Sequence, residues 1–177
     1  MTHLIFGGGA SGKSEYAESV ALELAKENEN GRLYYVATMM AYGESGAYRV
    51  KRHRKLRAGK GFETVEIPRD IGALVEQLKD DKSATLLIED LSNLLANEMF
   101  VDEEIRNPVT KIVSELKSLA DVFGNVIFVS NNIFEDGADY DDASVKFIQY
   151  LGEVNTGLAA FCDEVTEVIV GIPVKLK

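Results

Sequence analysis

The sequence predicts an α/β fold, a mostly parallel sheet with helices on both faces, in one domain spanning residues 1–177. Three observations carry that prediction. Short apolar runs alternate with segments of helical period along the chain. A glycine-rich loop, Gly7-Gly8-Gly9-Ala10-Ser11-Gly12-Lys13-Ser14, lies between the first apolar run and the first helical segment. Later runs end in polar clusters, as strands of an open parallel sheet do on the side where ligands bind.

The first strand, Leu4-Ile5-Phe6, leads straight into that loop, which fits the Walker A or P-loop pattern of Gly, four residues, then Gly-Lys-Ser. Ala17, Val20, Ala21 and Leu24 recur at helical spacing and predict a helix from Lys13 to Glu27. Glycines let the backbone turn tightly enough for successive N–H groups to point at phosphate oxygens. The helix N-terminus adds its partial positive charge at the same spot. On this reading Lys13, a solvent-facing charge, reaches the β- and γ-phosphates of a nucleotide, and the Ser14 hydroxyl sits on Mg²⁺.

A polar turn from Asn28 to Gly31 precedes a second buried strand, Leu33 to Ala37, which ends at Thr38. A basic helix is expected to start near Ser45 and to end at Gly59 and Gly61; on it Arg49, His53 and Arg57 share one face. Phe62 to Ile67 reads as a short strand closed by Pro68, and Ile71 to Leu78 as a short helix. Ala84 to Ile88 is a continuous apolar run ending in Glu89-Asp90, the arrangement expected of a Walker B strand; either carboxylate suits Mg²⁺, a hard cation that takes oxygen ligands. A helix from Val109 to Phe123, a strand at Val126–Val129 ending in Ser130-Asn131-Asn132, and an acidic loop from Glu135 to Asp142 follow. A long helix then carries Phe147, Ile148, Leu151, Val154, Leu158 and Phe161. Two strands, Val165–Val170 and Val174–Leu176, complete the reading, with Gly171 and Pro173 at their bend.

A net charge of −10 argues against general nucleic-acid binding, which needs a basic footprint. No apolar run approaches the ~18 residues needed to span a bilayer, so no membrane partner is expected. A single cysteine, Cys162, suits a reducing cytosol, and the first strand leaves no room for a signal peptide ahead of it; a cytoplasmic location is expected. Against this acidity, Arg49, Lys51, Arg52, Arg54, Lys55, Arg57 and Lys60 gather seven of the nineteen basic residues around His53. His53 is either a solvated surface residue or a nucleophile. A neutral imidazole attacks activated phosphorus, nearby cations keep it unprotonated, and arginines stabilise charge on the group in transfer.

Several stretches together resemble the bifunctional adenosylcobinamide kinase/adenosylcobinamide-phosphate guanylyltransferases. They are the glycine loop, Tyr35-Val-Ala-Thr38, Arg49-Val-Lys-Arg-His53-Arg54-Lys-Leu-Arg57, Phe62-Glu-Thr-Val-Glu66, Leu87-Ile-Glu89-Asp-Leu-Ser-Asn-Leu-Leu with Asn97, Gly152-Glu-Val-Asn155-Thr-Gly and Gly171-Ile-Pro-Val-Lys-Leu-Lys. The match runs in order along the whole chain. It implies a RecA-like P-loop NTPase fold, a homotrimer, and two reactions at one nucleotide site. One phosphorylates adenosylcobinamide with ATP or GTP; the other carries GMP from GTP through a histidine to adenosylcobinamide phosphate. It implies that His53 is the guanylylated nucleophile and that Gly7 to Ser14 hold the phosphates, with Lys13 catalytic. Ala37, Thr38, Met39, Arg54, Lys55, Leu56, Arg57 and Glu89 would complete the GTP site. Two positions depart from the family pattern: Asn132 replaces a glutamate, and Lys146 and Gln149 lie where an Arg and an Asp are expected. Two other readings fit the same residues: a P-loop kinase for another small molecule, with His53 only a phosphate contact, and a non-catalytic nucleotide-binding regulator.

Overall fold

Alternate residues along the central strands face two different cores, which is why those strands read as unbroken apolar runs. Leu86 and Ile88 join one core while Leu87 between them joins the other; Val126 and Phe128 oppose Ile127 and Val129 in the same way, and all are fully buried. In the computed structural model, residues 1–28, 31–40, 59–102, 104–133 and 140–177 are described.

The main sheet has seven strands in the order β3-β2-β4-β7-β1-β8-β9. These are β1 (Thr2–Gly7), β2 (Leu33–Ala37), β3 (Glu63–Glu66), β4 (Thr85–Glu89), β7 (Asn125–Asn131), β8 (Glu164–Ile169) and β9 (Ile172–Lys175). Only β9 runs antiparallel to its neighbour. A separate two-stranded ribbon joins β5 (Phe100–Val101) to β6 (Glu104–Ile105). The helices are α1 (Lys13–Glu27), α2 (Leu74–Gln77, entered through a 3₁₀ turn at Ile71–Ala73), α3 (Leu91–Met99), α4 (Val109–Val122) and α5 (Asp142–Phe161).

Helix α1 covers one face. Its Ala17 and Ala21 are buried against Ile5, Leu87, Ile127 and Val129, and their small side chains let the helix lie close to the sheet. Helices α3, α4 and α5 cover the other face through Leu91, Leu94, Leu95, Ile112, Leu116, Leu151, Val154 and Leu158. The expected mostly parallel sheet with helices on both faces is therefore present, and β1 lies near its middle with β7 and β8 beside it.

Three expectations need correction. The stretch after Asp90 is helical (α3), with Leu91, Leu94 and Leu95 at core spacing, and the ribbon follows it; neither element is among those expected. Pro173 lies inside β9 rather than at the bend, which is made by Val170 (φ 45°) and Gly171 (φ 83°). A proline is tolerated there because β9 is an edge strand that needs no donor on its outer side. The segment Ile71–Leu78 is a 3₁₀ turn and a single α-turn rather than one helix. The expected basic helix, with Arg49, His53, Arg54, Lys55, Leu56 and Arg57, lies outside the described residues.

Candidate nucleotide site

The loop between β1 and α1 takes its shape from a few backbone positions. Ala10 (φ 55°) and Gly12 (φ 90°) are left-handed, and the turn is closed by Ser11 N–H donating to Gly8 O at 3.3 Å and Tyr16 N–H to Gly12 O at 3.1 Å. At Gly7 an added Cβ would stand 2.5 Å from the Val168 carbonyl of β8, so nothing larger than glycine fits. At Gly8 and Gly9 an added Cβ meets nothing within 4 Å among the described residues. The bend between β8 and β9 braces the loop from the side: Gly171 N–H donates to Ser11 O at 2.7 Å.

Lys13 opens α1, and its ammonium donates to Gly8 O at 3.0 Å. It is only 9% exposed, so the expected solvent-facing charge is instead folded over the loop. Burial lowers its pKa, opposed by the nearby Asp90 and Glu89 carboxylates. The Ser11 hydroxyl is buried without a hydrogen-bond partner among the described residues, an uncommon state for a polar group at the base of a loop.

Parallel pairing sets the strand ends side by side. Ala37 of β2 pairs in register with Glu89 of β4, and β4 is separated from β1 only by β7. That register puts the Glu89 carboxylate beside α1, where it accepts from the Ser14 hydroxyl and, at 3.1 Å, from the Tyr35 hydroxyl. The hydroxyl and carboxylate form the kind of oxygen donor pair that suits Mg²⁺, so the residues present fit that ion. Among the described residues no three His, Cys, Asp or Glu side chains gather into a metal cluster, and the remaining ligands would come from phosphate and water.

Asp90 has a different employment. It is the N-cap of α3, accepting from Asn93 N–H at 2.7 Å and Asn93 Nδ2 at 2.9 Å, with Asn131 Nδ2 at 3.5 Å. Burial raises its pKa; the Asn93 and Asn131 bonds and the Lys13 charge act against that. Thr38 N–H donates to Glu89 O at 3.3 Å and its hydroxyl to Asp90 O at 2.7 Å, while Asn97 Nδ2 holds both Thr38 O (2.8 Å) and Pro68 O (3.0 Å). Met39 follows Thr38 at the same edge. At the β7 end, Asn131 Nδ2 also donates to Ser92 Oγ (2.6 Å), and Ser130 Oγ to Asn155 Oδ1 (2.6 Å).

The four polar clusters expected at the strand ends thus meet at one edge: the loop, Thr38, Glu89-Asp90 and Ser130-Asn131. Tyr35 and Asn93 are additions that the sequence reading does not single out. Asn93 is detectable from Asp90-Leu-Ser-Asn93, a capping residue three positions ahead of an amide donor. Nothing in the sequence marks Tyr35, whose strand reads as plain core.

A sheet of this order, with a P-loop after a central strand and a carboxylate at the end of the next strand but one, defines a P-loop protein of the RecA-like kind. A solved phage-type ATPase domain would be one comparison of this class; the ATPase domain found here shares the fold with a TM-score of 0.56 over 94% of this chain and 68% of that one, at 15% identity. The chain belongs to the cobinamide kinase / cobinamide phosphate guanyltransferase family, whose model matches residues 3–176. It is 28% identical to the bifunctional adenosylcobalamin biosynthesis protein CobP of Pseudomonas aeruginosa, covering 100% of this chain and 98% of that protein. It is 26% identical to the corresponding CobU of Escherichia coli, covering both in full.

Proposed function

We propose that this protein phosphorylates adenosylcobinamide and then converts the phosphate to adenosylcobinamide-GDP, with both nucleotides bound at Gly7–Ser14. The observation that carries the reading is the loop itself. Gly8 and Gly9 have no described protein neighbour that demands glycine, so the demand comes from a ligand that must reach the backbone N–H groups. In the first step the acceptor hydroxyl oxygen bonds to the terminal phosphorus of ATP or GTP, and the nucleoside diphosphate leaves with the electron pair. Lys13, moved from the Gly8 carbonyl to the phosphates, neutralises charge on the group in transfer. Mg²⁺, held by Ser14 and Glu89, would supply electrostatic stabilisation of the phosphate oxygens; Asp90, committed to its cap, is not assigned to it.

In the second step a neutral His53 nitrogen bonds to the α-phosphorus of GTP and pyrophosphate leaves. A phosphate oxygen of the phosphorylated acceptor then attacks the same phosphorus, forming a diphosphate link and restoring the imidazole. Ala37, Thr38, Met39, Arg54, Lys55, Leu56 and Arg57 are assigned to the GTP site with them. We also assign a homotrimer. The bare apolar edge of Ile172 (62% exposed), Val174 and Leu176 is a surface that a second copy would cover; light scattering tests it. The net charge of −10 supports a small-molecule rather than a nucleic-acid partner. No described helix is long and apolar enough to cross a membrane, and the proposed location is the cytoplasm.

The decisive experiment incubates the protein with Mg²⁺ and α-labelled GTP. A phosphoramidate on His53 gives label that survives alkali and is lost in acid, and His53→Ala abolishes it while nucleotide affinity stays nearly unchanged. A wild-type protein that binds GTP yet takes up no label refutes the guanylyltransferase step and leaves a small-molecule kinase as the better account.

A further inference from the structure

A pocket of about 560 Å³ opens beside the phosphate loop. Gly8, Asn132 and Ile133 form one wall, and Tyr140, Ser144, Phe147 and Ile148, on and just ahead of α5, form the other. It is not the seat of the nucleotide's metal, since Ser14 and Glu89 do not line it. It meets the loop at Gly8, the residue whose carbonyl holds the Lys13 ammonium. The pocket therefore ends where Lys13 would bring a terminal phosphate.

The chemistry of its walls selects the occupant. Its described lining has no Lys, Arg, His, Asp or Glu, so it offers no charge to replace the water around a phosphorylated ligand. What it offers is two aromatic rings, two isoleucines, a hydroxyl and an amide. The amide is held in place: Asn132 N–H donates to Gly7 O at 2.9 Å, and Asn132 Nδ2 donates to Glu167 of β8 at 3.0 Å. A fixed amide among apolar groups suits a neutral ligand with apolar ring edges and carboxamide arms. The volume takes one edge of a large macrocycle together with a short arm, and not the whole ring.

We propose that this pocket is the acceptor site of the phosphoryl-transfer step. It takes a neutral, carboxamide-bearing edge of the acceptor against Tyr140 and Phe147 and leads its hydroxyl arm to Gly8. There the hydroxyl oxygen bonds to the terminal phosphorus as the bond to the departing diphosphate breaks, and its proton goes to water. The assignment rests on the kinase reading above and deepens it by giving the acceptor a place.

The test uses the full chain with ATP, Mg²⁺ and adenosylcobinamide. Corrinoid binding is followed by equilibrium dialysis through its visible absorbance, and phosphorylation by steady-state kinetics. Ser144→Tyr fills the pocket from the half-buried first turn of α5, and Phe147→Ala removes a wall. Each should raise the Kd and KM for adenosylcobinamide about tenfold or more, the loss of roughly one good apolar contact surface. ATP affinity should stay within about twofold, since neither residue touches the loop. Ser144→Tyr keeps the test open if Phe147→Ala fails to fold. Wild-type turnover with unchanged acceptor Kd in Ser144→Tyr overturns the pocket assignment alone. A parallel loss of ATP affinity also overturns it, by making the pocket part of the nucleotide site. A wild-type protein that neither binds nor phosphorylates the corrinoid refutes the proposed function, and the assignment with it.

Discussion

Two neighbouring glycines of the phosphate loop should respond in opposite ways to the same substitution. Gly7→Ala puts a methyl 2.5 Å from the Val168 carbonyl and 2.7 Å from the Ser11 hydroxyl. Real Cβ atoms do not come so close, and the nearer atom is backbone of a central strand that cannot swing aside. Overpacking of this kind costs about 1–3 kcal/mol. In a chain of this size that lowers the melting temperature by roughly 2–12 °C. Gly8→Ala meets no described atom within 4 Å and has no positive φ to relieve, so its melting temperature should equal wild type or exceed it slightly. Its methyl stands instead in the path of the phosphates. Losing one or two hydrogen bonds to a charged ligand, at about 1.5–3 kcal/mol each, weakens binding at least ~10-fold. The assay is thermal melting with and without Mg²⁺-GTP. At a hundred times the wild-type Kd, the nucleotide stabilises wild type by about 2.7 kcal/mol. A variant with roughly 30-fold weaker binding gains only about 0.8 kcal/mol at the same concentration. Gly8→Ala destabilised as much as Gly7→Ala, or shifted by GTP as fully as wild type, would refute the assignment of that glycine to the ligand.

Three other outcomes follow from groups around the sheet. Asp90→Ala removes the α3 cap and should cost about 1–2 kcal/mol in chemical denaturation. Asp90→Asn keeps an acceptor for Asn93 N–H and relieves a charge whose burial raises its pKa, so it should cost less than Asp90→Ala. His3 is buried with Nε2 2.8 Å from Thr166 Oγ1, and burial first of all holds its pKa below the ordinary 6.5, with Lys175 acting alongside and Glu164 against. The unfolded chain therefore takes up the proton first: this contribution to stability is full above pH 6.5 and is lost as pH falls through 6.5 toward the folded value. Melting from about pH 8 to about pH 5 should show the slope, and His3→Gln should flatten it. The Cys162 thiol is pushed up to about 12, chiefly by burial, so a thiol reagent at about pH 8 should leave the folded protein untouched and modify it rapidly in denaturant.

Where the chain obeys local rules, its fold is legible. Helix α1 and strand β2 occupy the expected residues, because a strong apolar period and a Walker A loop leave no other register. Helix α3 is hidden because its core leucines directly follow an acidic pair that reads as a strand end; the same Asp90 that invites a metal is what starts the helix. The metal question shows the limit of residue type alone: Glu89 and Asp90 are adjacent carboxylates, and only the strand's alternation and the α3 cap separate their roles. Lys13 reads as solvent-facing because its partner is a backbone carbonyl, which no pattern of side chains reveals. The position of Pro173 follows from β9 being an edge strand, a property of the whole sheet rather than of its own neighbours.

The brace between Gly171 and Ser11 has a consequence for how the molecule is made. Strand β1 is synthesised first, yet its partners are β7 and β8, with Thr2 beside Val126 and His3 beside Glu164. At about 5–20 residues per second, a ribosome needs roughly 10–30 s to deliver β8 after β1. Throughout that interval the nascent chain carries Leu4, Ile5 and Phe6 with neither neighbouring strand in place, a non-local topology of the kind that folds slowly and exposes strand edges. The phosphate loop is complete only when Gly171 emerges and closes on it. Nucleotide can therefore engage a finished loop only late in biosynthesis. A chain stalled before the β8–β9 bend should be held by chaperones rather than by its own ligand.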